Sequence, residues 1–521
     1  MNSADSGKRI DGWLIAILAA AAFLLFFRLD HRPFWQDEAE TACLARNVLR
    51  FGLPLAFDGV NLVSQEENRE FGPDHVWRWS PWLQIYLMAA SFRIGGETTL
   101  AGRLPFAFCG WLTLWLVYRW VRRLSGDVAW ARWSAALLAL SVPFLLFARQ
   151  GRYTGPAMLL TMLIVPAAFR PSRAALAVAL PALGALFHLN YIVFAGLLGG
   201  LLPLVWLERR QWTWLRLAAA ATVLALFIAP GIAGYHIGSR AGLMDWSMAP
   251  VRLQRNLVDV LQFALPLPLA AAVLLRGRTE PGATGEPIVR RLLILVAGSL
   301  LTVSLAPREY FRYLVPLLPL CAIVCAWCLR TLWAAHRAPA VLLGVLLVFT
   351  NWLHVVPLDR AHVYHRPWHN DPAMLTAPNF PMKLFLTELC RGYPDVHAAA
   401  IARLNEAARP GDTVLATYGD LPLQFYTRCR VTGGFQRPEP EPGIEPDWVI
   451  VRRRTFLTRD NDLPASRRQA DALELERDYE RIVLPAPDDP FGNRPDPAQH
   501  RFLPPREPFE HLVLYRRKEG A

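Results

Sequence analysis

The sequence predicts a polytopic α-helical membrane protein that ends in a soluble α/β domain. Three observations carry that expectation. Hydrophobic residues make up 53% of the 521 residues and charged residues only 19%, against roughly 25% charged in an average soluble domain. Mean hydropathy is +0.23, which the polar surfaces of several soluble domains would lower. Apolar runs approaching the roughly 20 residues of a membrane crossing recur along the chain and stop near Pro357. The same composition excludes disorder and collagen. Seven scattered cysteines exclude a small disulfide-stapled scaffold. The net charge of +12 would suit nucleic acid, but the basic residues fall mostly between apolar runs, so no nucleic-acid partner is expected.

The first run, 13–27, follows Lys8 and Arg9. No small-residue cleavage site precedes FFRLDHRPFW, so it reads as a retained span rather than a signal peptide. Further runs lie near 104–118, 133–148, 157–169, 174–187, 192–207, 215–235, 257–275, 292–305, 313–329 and 341–356, which makes about eleven spans. With a cytoplasmic N-terminus, the alternate loops YRWVRRLSGDVAWAR, FRPSRA, LERRQWTWLR, LRGRTEPGATGEPIVRR and LRTLWAAHR are short and Arg-rich, as cytoplasmic loops are. The opposite loops, 28–103, ARQGRYTG, HLNY, 235–256 and APREYFR, then face outward. The stretch 82–94 is short and ends in Arg93; as a span it would turn the Arg-rich loops outward, so it is expected to lie on the outer leaflet. The expected division is a membrane module over 1–356, with its first outer loop at 28–103, and an extracytoplasmic α/β domain over 357–521. In the latter, DVHAAAIARLNEAAR runs into a Pro-Gly stop, and a second helix is expected around 466–479. The strand-like runs DTVLATY, RVTGGF, DWVIVR, ERIVLPA and HLVLYRR predict a partly parallel sheet. There is no G-x-G-x-x-G, no Walker loop and no internal repeat.

The outward loops carry the residues suited to chemistry. FWQDEAETACLARNVLRFG places Asp37 and Glu38 at the start of an amphipathic helix just after the first span. Asp37 there is either an N-cap or a carboxylate kept ionised by the helix dipole for use as a base. Arg149, Arg152, Arg240, Arg308 and Arg312 lie on the other outward loops, and guanidinium forks match phosphate oxygens. His188 and Trp79 are candidate substrate contacts, although an interfacial hydrogen bond and a membrane-interface anchor are the plainer readings. Arg103 reads as an anchor for the first outer loop. Cys321, Cys325 and Cys328 read as packing. His354, His362, His365 and His369 cluster, but their spacing fits no closed metal site.

The stretches WQDEAETACLARNVLRFG, WSPWLQIYL, GGETTLAGRLPFAFCGWLTL, ARQGRYTGPAML and PREYFRYLVPLLPL resemble the membrane glycosyltransferases of the GT-C fold. Among these, the protein O-mannosyltransferase and lipid A aminoarabinose transferase superfamily is most similar. The resemblance implies a polyprenyl-phosphate sugar donor, used at the outer face of a bacterial inner membrane, and transfer with inversion. Its acceptor would be a lipid, glycan or protein hydroxyl. It implies that Asp37 is the base, that Glu38 helps place the acceptor, and that Tyr313, with Arg312 and Arg308, meets the phosphate. Relatives carry a second acid where Gly155 stands in RYTGP. A metal held between two loop acids is therefore not expected and no cofactor is implied, although a divalent metal stays open through Glu66, Glu67, Glu70, Asp74 or Asp245. The rival reading is a transporter or flippase for a lipid-linked sugar, which the lack of repeats disfavours.

Overall fold

The computed structural model describes residues 11–238, 246–269, 271, 285–354, 379–392, 394–458, 461–489, 493–497, 499–503 and 508–520. Helix α1 (Gly12–Phe26) starts at Asp11, whose carboxylate accepts from its own helix at Trp13 N. The same carboxylate accepts from the Tyr118 phenol at 2.6 Å and pairs with Arg132 at 2.8 Å. One side chain thus fastens α1 to α4 (Thr99–Ser125) and α5 (Val128–Ala139).

The run 133–148 is not one straight span. It is α5 followed by α6 (Val142–Ala148), bent by 64°. Ser141 is extended at ψ 112°, and Pro143 has no N–H to continue the ladder. The chain continues through α7 (Thr154–Phe169), α8 (Arg173–Leu189), α9 (Tyr191–Leu207), α10 (Trp214–Gly234), α11 (Ala249–Phe263), α12 (Glu286–Val303), α13 (Leu318–Ala335) and α14 (Arg337–Phe349). Helices α9 and α12 meet through glycines. A Cβ on Gly200 would lie 2.3 Å from the Leu295 carbonyl oxygen, and one on Gly298 would lie 2.8 Å from that of Gly199. Small residues let apolar helices meet backbone to backbone, where lipid offers no hydrophobic drive. Helix α10 leaves Leu215 and Leu226 largely exposed, as a lipid-facing helix does.

Among the described residues, α4, α10 and Val315–Ala335 are long and apolar enough to cross a membrane, or four spans if the bent α5–α6 pair is one; α1, α7, α8, α9 and α14 are shorter apolar helices. The expected runs fall on these helices and on α12, except that 257–275 lies partly on the amphipathic α11 and partly outside the described residues. This is the helix set of a multi-pass membrane protein. The expected boundary at 356/357 also lies outside the described residues.

Between α1 and α4 stands the first loop. Helix α2 (Gln36–Phe51) ends at the left-handed Gly52. Helix α3 (Leu83–Gly95) occupies the stretch expected on the outer leaflet and buries Ile85, Met88 and Phe92 in a core with Phe34, Leu44 and Trp77. Helices α15 (Pro381–Arg391) and α16 (Val396–Ala407) lead into a five-stranded sheet ordered β2-β1-β3-β5-β4. Its strands are β1 (Thr413–Ala416), β2 (Arg430–Gly433), β3 (Trp448–Ile450), β4 (Tyr479–Pro487) and β5 (His511–Arg517). β1 runs parallel to β2 and β3, while β5 is antiparallel to β3 and β4. The sheet region shares the core of the first loop. Leu421 and Phe425 of α17 (Asp420–Tyr426) pack there. Phe34 N donates to Tyr426 Oη at 3.0 Å, Arg46 Nη2 to Gln424 O at 3.1 Å, and Val431 N to Asn61 Oδ1 at 2.7 Å.

Candidate active site

Asp37 is the second residue of α2, and the N-cap is Trp35. The N-cap role open to Asp37 in the sequence is therefore taken elsewhere. Glu38, the third residue of the helix, accepts from the Trp35 backbone N at 3.4 Å and so serves the helix start. Freed from capping, the Asp37 carboxylate pairs with Arg312 and lies 3.8 Å from Arg152. It keeps 17% of its side-chain surface open, so it sits at the mouth of a cleft rather than in the core. Burial would push its carboxyl up, but the charges of Arg312, Arg152 and Arg494 hold it below the usual carboxylate range.

Two residues of the expected phosphate set flank it. Arg152 donates from Nη1 to the Asp37 carbonyl at 2.8 Å, to Glu40 at 3.1 Å and to Thr41 Oγ1 at 2.9 Å. Arg312 lies 4.3 Å from the centroid of Tyr310 and 5.9 Å from that of Tyr313. The segment Phe311–Tyr313 is one 3-10 turn, which is why Tyr310 and Tyr313 lie on one side of Arg312 with ring centroids 5.7 Å apart. Arg308, further out, donates to Tyr310 Oη at 3.4 Å and lies 3.9 Å from Glu66. Arg308 and Arg312 lower the Tyr310 phenol against the upward push of burial.

Other expected residues are held away from this cleft. Both Glu38 oxygens are engaged: Arg103 donates to them at 2.9 and 2.6 Å, and Gly151 N donates at 2.6 Å. Arg103 also donates to the carbonyls of Leu29, Arg32 and Pro33, the anchor its place in AGRLPF suggested. Arg149 donates to the carbonyls of Leu24, Leu25, Phe27 and Arg28 and so closes the end of α1. His188 Nε2 donates to the Phe227 carbonyl at 2.9 Å, which leaves Nδ1 to accept from the Tyr235 phenol at 2.8 Å. Trp79 is buried within the core of the first loop. Arg240 and Asp245 lie outside the described residues, as do His362, His365 and His369. His354 meets the Leu261 carbonyl at 3.0 Å.

Gly155 packs its Cα face on α4, and a Cβ there would come 2.4 Å from the Phe106 carbonyl oxygen. The position thus has no room for an acid. The carboxyl that does stand beside Asp37 is Glu40, one turn along α2. Its partners are Arg152 and, at 2.6 Å, Gln65 Nε2. Burial raises it and Asp37 raises it further, while Arg152 pulls the other way; the balance is upward. The i, i+3 spacing of QDEAE was the available signal. Of the other acids, Glu70 is buried on Ser64 Oγ at 2.8 Å and Gln65 N at 2.5 Å, and burial pushes it up to about 8. Asp74 pairs with Arg78 at the surface. Glu67 lies 3.5 Å from Arg69. Among the described residues no three His, Cys, Asp or Glu side chains converge as metal ligands.

No protein-family model matches the chain, and no curated protein matches it in sequence. In structure it is similar to ArnT from Cupriavidus metallidurans, both bound to undecaprenyl phosphate and in the apo state. Each has a TM-score of 0.54 and 15% identity over 97% of this chain and 98% of that chain. The arabinosyltransferase EmbB from Mycobacterium smegmatis is similar over 63% of this chain and 32% of that chain, with 15% identity and a TM-score of 0.41. The likeness to ArnT, extending over nearly the whole of both chains, gives this chain the fold of the GT-C glycosyltransferases.

Proposed function

We propose that this chain is an integral-membrane glycosyltransferase that takes a sugar from a polyprenyl-phosphate donor at the outer face of a bacterial inner membrane. The observation that carries this reading is the cleft at Asp37: one carboxylate, partly open, between Arg152 and Arg312, with Tyr310 and Tyr313 beside them. Support also comes from the fold shared with ArnT, one structure of which holds undecaprenyl phosphate. The proton of an acceptor hydroxyl passes to Asp37 as its oxygen attacks the anomeric carbon. The bond from that carbon to the phosphate oxygen breaks, and polyprenyl phosphate leaves with the electron pair. Attack opposite the leaving group inverts the centre. Arg312, Arg152 and Tyr313 stabilise the charge that grows on the phosphate.

The Asp37–Arg312 pair has a chemical consequence. A carboxylate paired with two guanidiniums is a weak base. A donor phosphate competes for Arg312, and each contact it gains loosens the hold on Asp37. Donor binding and base strength are thereby coupled. Glu38, locked on Arg103, acts by fixing the start of α2 and not by touching an acceptor. The acceptor is a hydroxyl of an envelope lipid, glycan or protein, and the C-terminal region lies on the outer side with the first loop. The test is transfer from a labelled polyprenyl-phosphate sugar by purified protein in detergent. Asp37→Asn is expected to cut transfer by about 10² to 10⁴. Normal transfer by that variant would remove Asp37 as base; donor transported but never cleaved would favour a transporter.

A further inference from the structure

The sheet region is more than a neighbour of the cleft. Its segment Asn493–Pro497 crosses to the membrane module. There Asn493 Nδ2 donates to the Pro33 carbonyl at 3.2 Å. The guanidinium of Arg494 then lies 5.4 Å from the ring centroid of Trp35, the N-cap of the helix that carries Asp37. Arg152, Tyr153, Arg312, Arg494 and Asp496 line one small cavity. Three donors among these residues are buried without a hydrogen-bond partner: Arg152 Nε, Arg312 Nε and the Tyr153 phenol. Buried donors are rarely left so, and a cavity lined by three guanidiniums and a phenol suits an anion with several acceptor oxygens.

We propose that Arg494 is a phosphate-binding residue of this site, supplied by the C-terminal region, and that it closes the anion cavity with Arg152, Arg312 and Tyr153. The ligand it takes is the phosphate of the lipid carrier; this rests on the function proposed above. The Trp35 ring attracts the Arg494 guanidinium at 5.4 Å, which helps keep the cation at the cavity before the ligand arrives. Asp496, the acid on the same wall, keeps the cavity from being uniformly cationic. The charge of Arg494 also reaches Asp37, Tyr310 and Tyr418, each of which it draws down. The cleft is therefore built by both halves of the chain, and the sheet region is part of the active site rather than an appendage.

The test uses the full chain in detergent, with undecaprenyl phosphate as probe and the fluorescence of tryptophan as readout. Affinity is measured well below the lower melting midpoint, so that a fold defect is not scored as lost binding. Arg494→Gln is expected to weaken binding about ten- to hundredfold, the worth of a hydrogen bond to a charged group. Arg494→Lys, which keeps the charge but not the fork, is expected to fall between that variant and wild type. Unchanged affinity in Arg494→Gln would overturn the proposal. So would a variant that melts earlier yet binds normally, because that is what a latch acting only on Trp35 produces. Wild-type protein that fails to bind undecaprenyl phosphate would overturn the function itself, an outcome distinct from an effect confined to Arg494.

Discussion

Asp37 is ionised through the whole physiological range because two guanidiniums flank it, and that fixes the sign of its pH behaviour. Its folded carboxyl lies below the ordinary carboxylate value. Activity that depends on the ionised form is present above that value and is lost as pH falls through it. The acid limb of kcat/KM is therefore expected below the usual carboxylate range. Arg312→Gln removes the partner that opposes burial most strongly, so the acid limb should move to higher pH while kcat also falls. A limb that stays in place would show that another group titrates. Asp37→Asn removes the counter-charge of Arg312 and Arg152, so the melting midpoint should fall as well, and its transfer is compared with wild type well below that midpoint. At this scale the sequence was partly legible. Asp37, Arg152 and Arg312 stand in charged stretches at the ends of apolar runs, where an isolated charge is costly unless used. The contacts of Glu38 were less legible, because adjacency in sequence puts it on another face of the helix, against Arg103. Arg494 left no signal: it lies in a Pro-rich stretch whose approach to Trp35 depends on the tertiary fold.

Elements explain what single residues do not. The absent acid at Gly155 is a packing requirement of α7 against α4, since the obstacle is the Phe106 carbonyl, which is backbone and cannot swing aside. Gly155→Asp is thus expected to destabilise the protein by about 1–3 kcal/mol, the usual cost of overpacking, read as a lower melting midpoint. It should not create metal dependence. The acids nearest Asp37 are already matched: Glu40 with Arg152, Glu66 near Arg308, Glu70 with Ser64. Transfer is accordingly expected to survive excess EDTA; loss of activity restored by magnesium or manganese would reveal a metal site. Helix positions were legible from apolar periodicity and from caps. The five strand-like runs each became a strand of the sheet, because short apolar, β-branched runs between turn signals suit buried strands. The break between α5 and α6 was written in SVPF, but its Pro sits inside a run whose hydropathy alone reads as continuous.

At the scale of the whole molecule, the contact between the sheet region and the first loop constrains topology independently of loop charge. Gln36 Nε2 donates to Asp420 Oδ1 at 2.8 Å, and Gln436 Nε2 donates to Asp420 Oδ2 at the same distance. Thr99 and Tyr426 share a hydrogen bond of 2.6 Å. Groups that touch in this way lie on one side of a membrane. The chain must therefore cross an even number of times between the first loop and α17, α4 included, whatever the exact number of spans. With the Arg-rich alternate loops cytoplasmic, as proposed, the first loop is outside, and the docking then carries the C-terminal region to the same side. In a Cys390→Ser background, which removes the exposed native thiol, single cysteines at Val60 and Glu519 should both react with a membrane-impermeant thiol reagent applied to spheroplasts. Val60 is 56% exposed in the first loop, and Glu519 is exposed beyond β5. Labelling of one position only would break the even-crossing requirement and with it the docking of the sheet on the first loop. Labelling of both only after lysis would keep the docking but turn the cleft, and Asp37 with it, toward the cytoplasm.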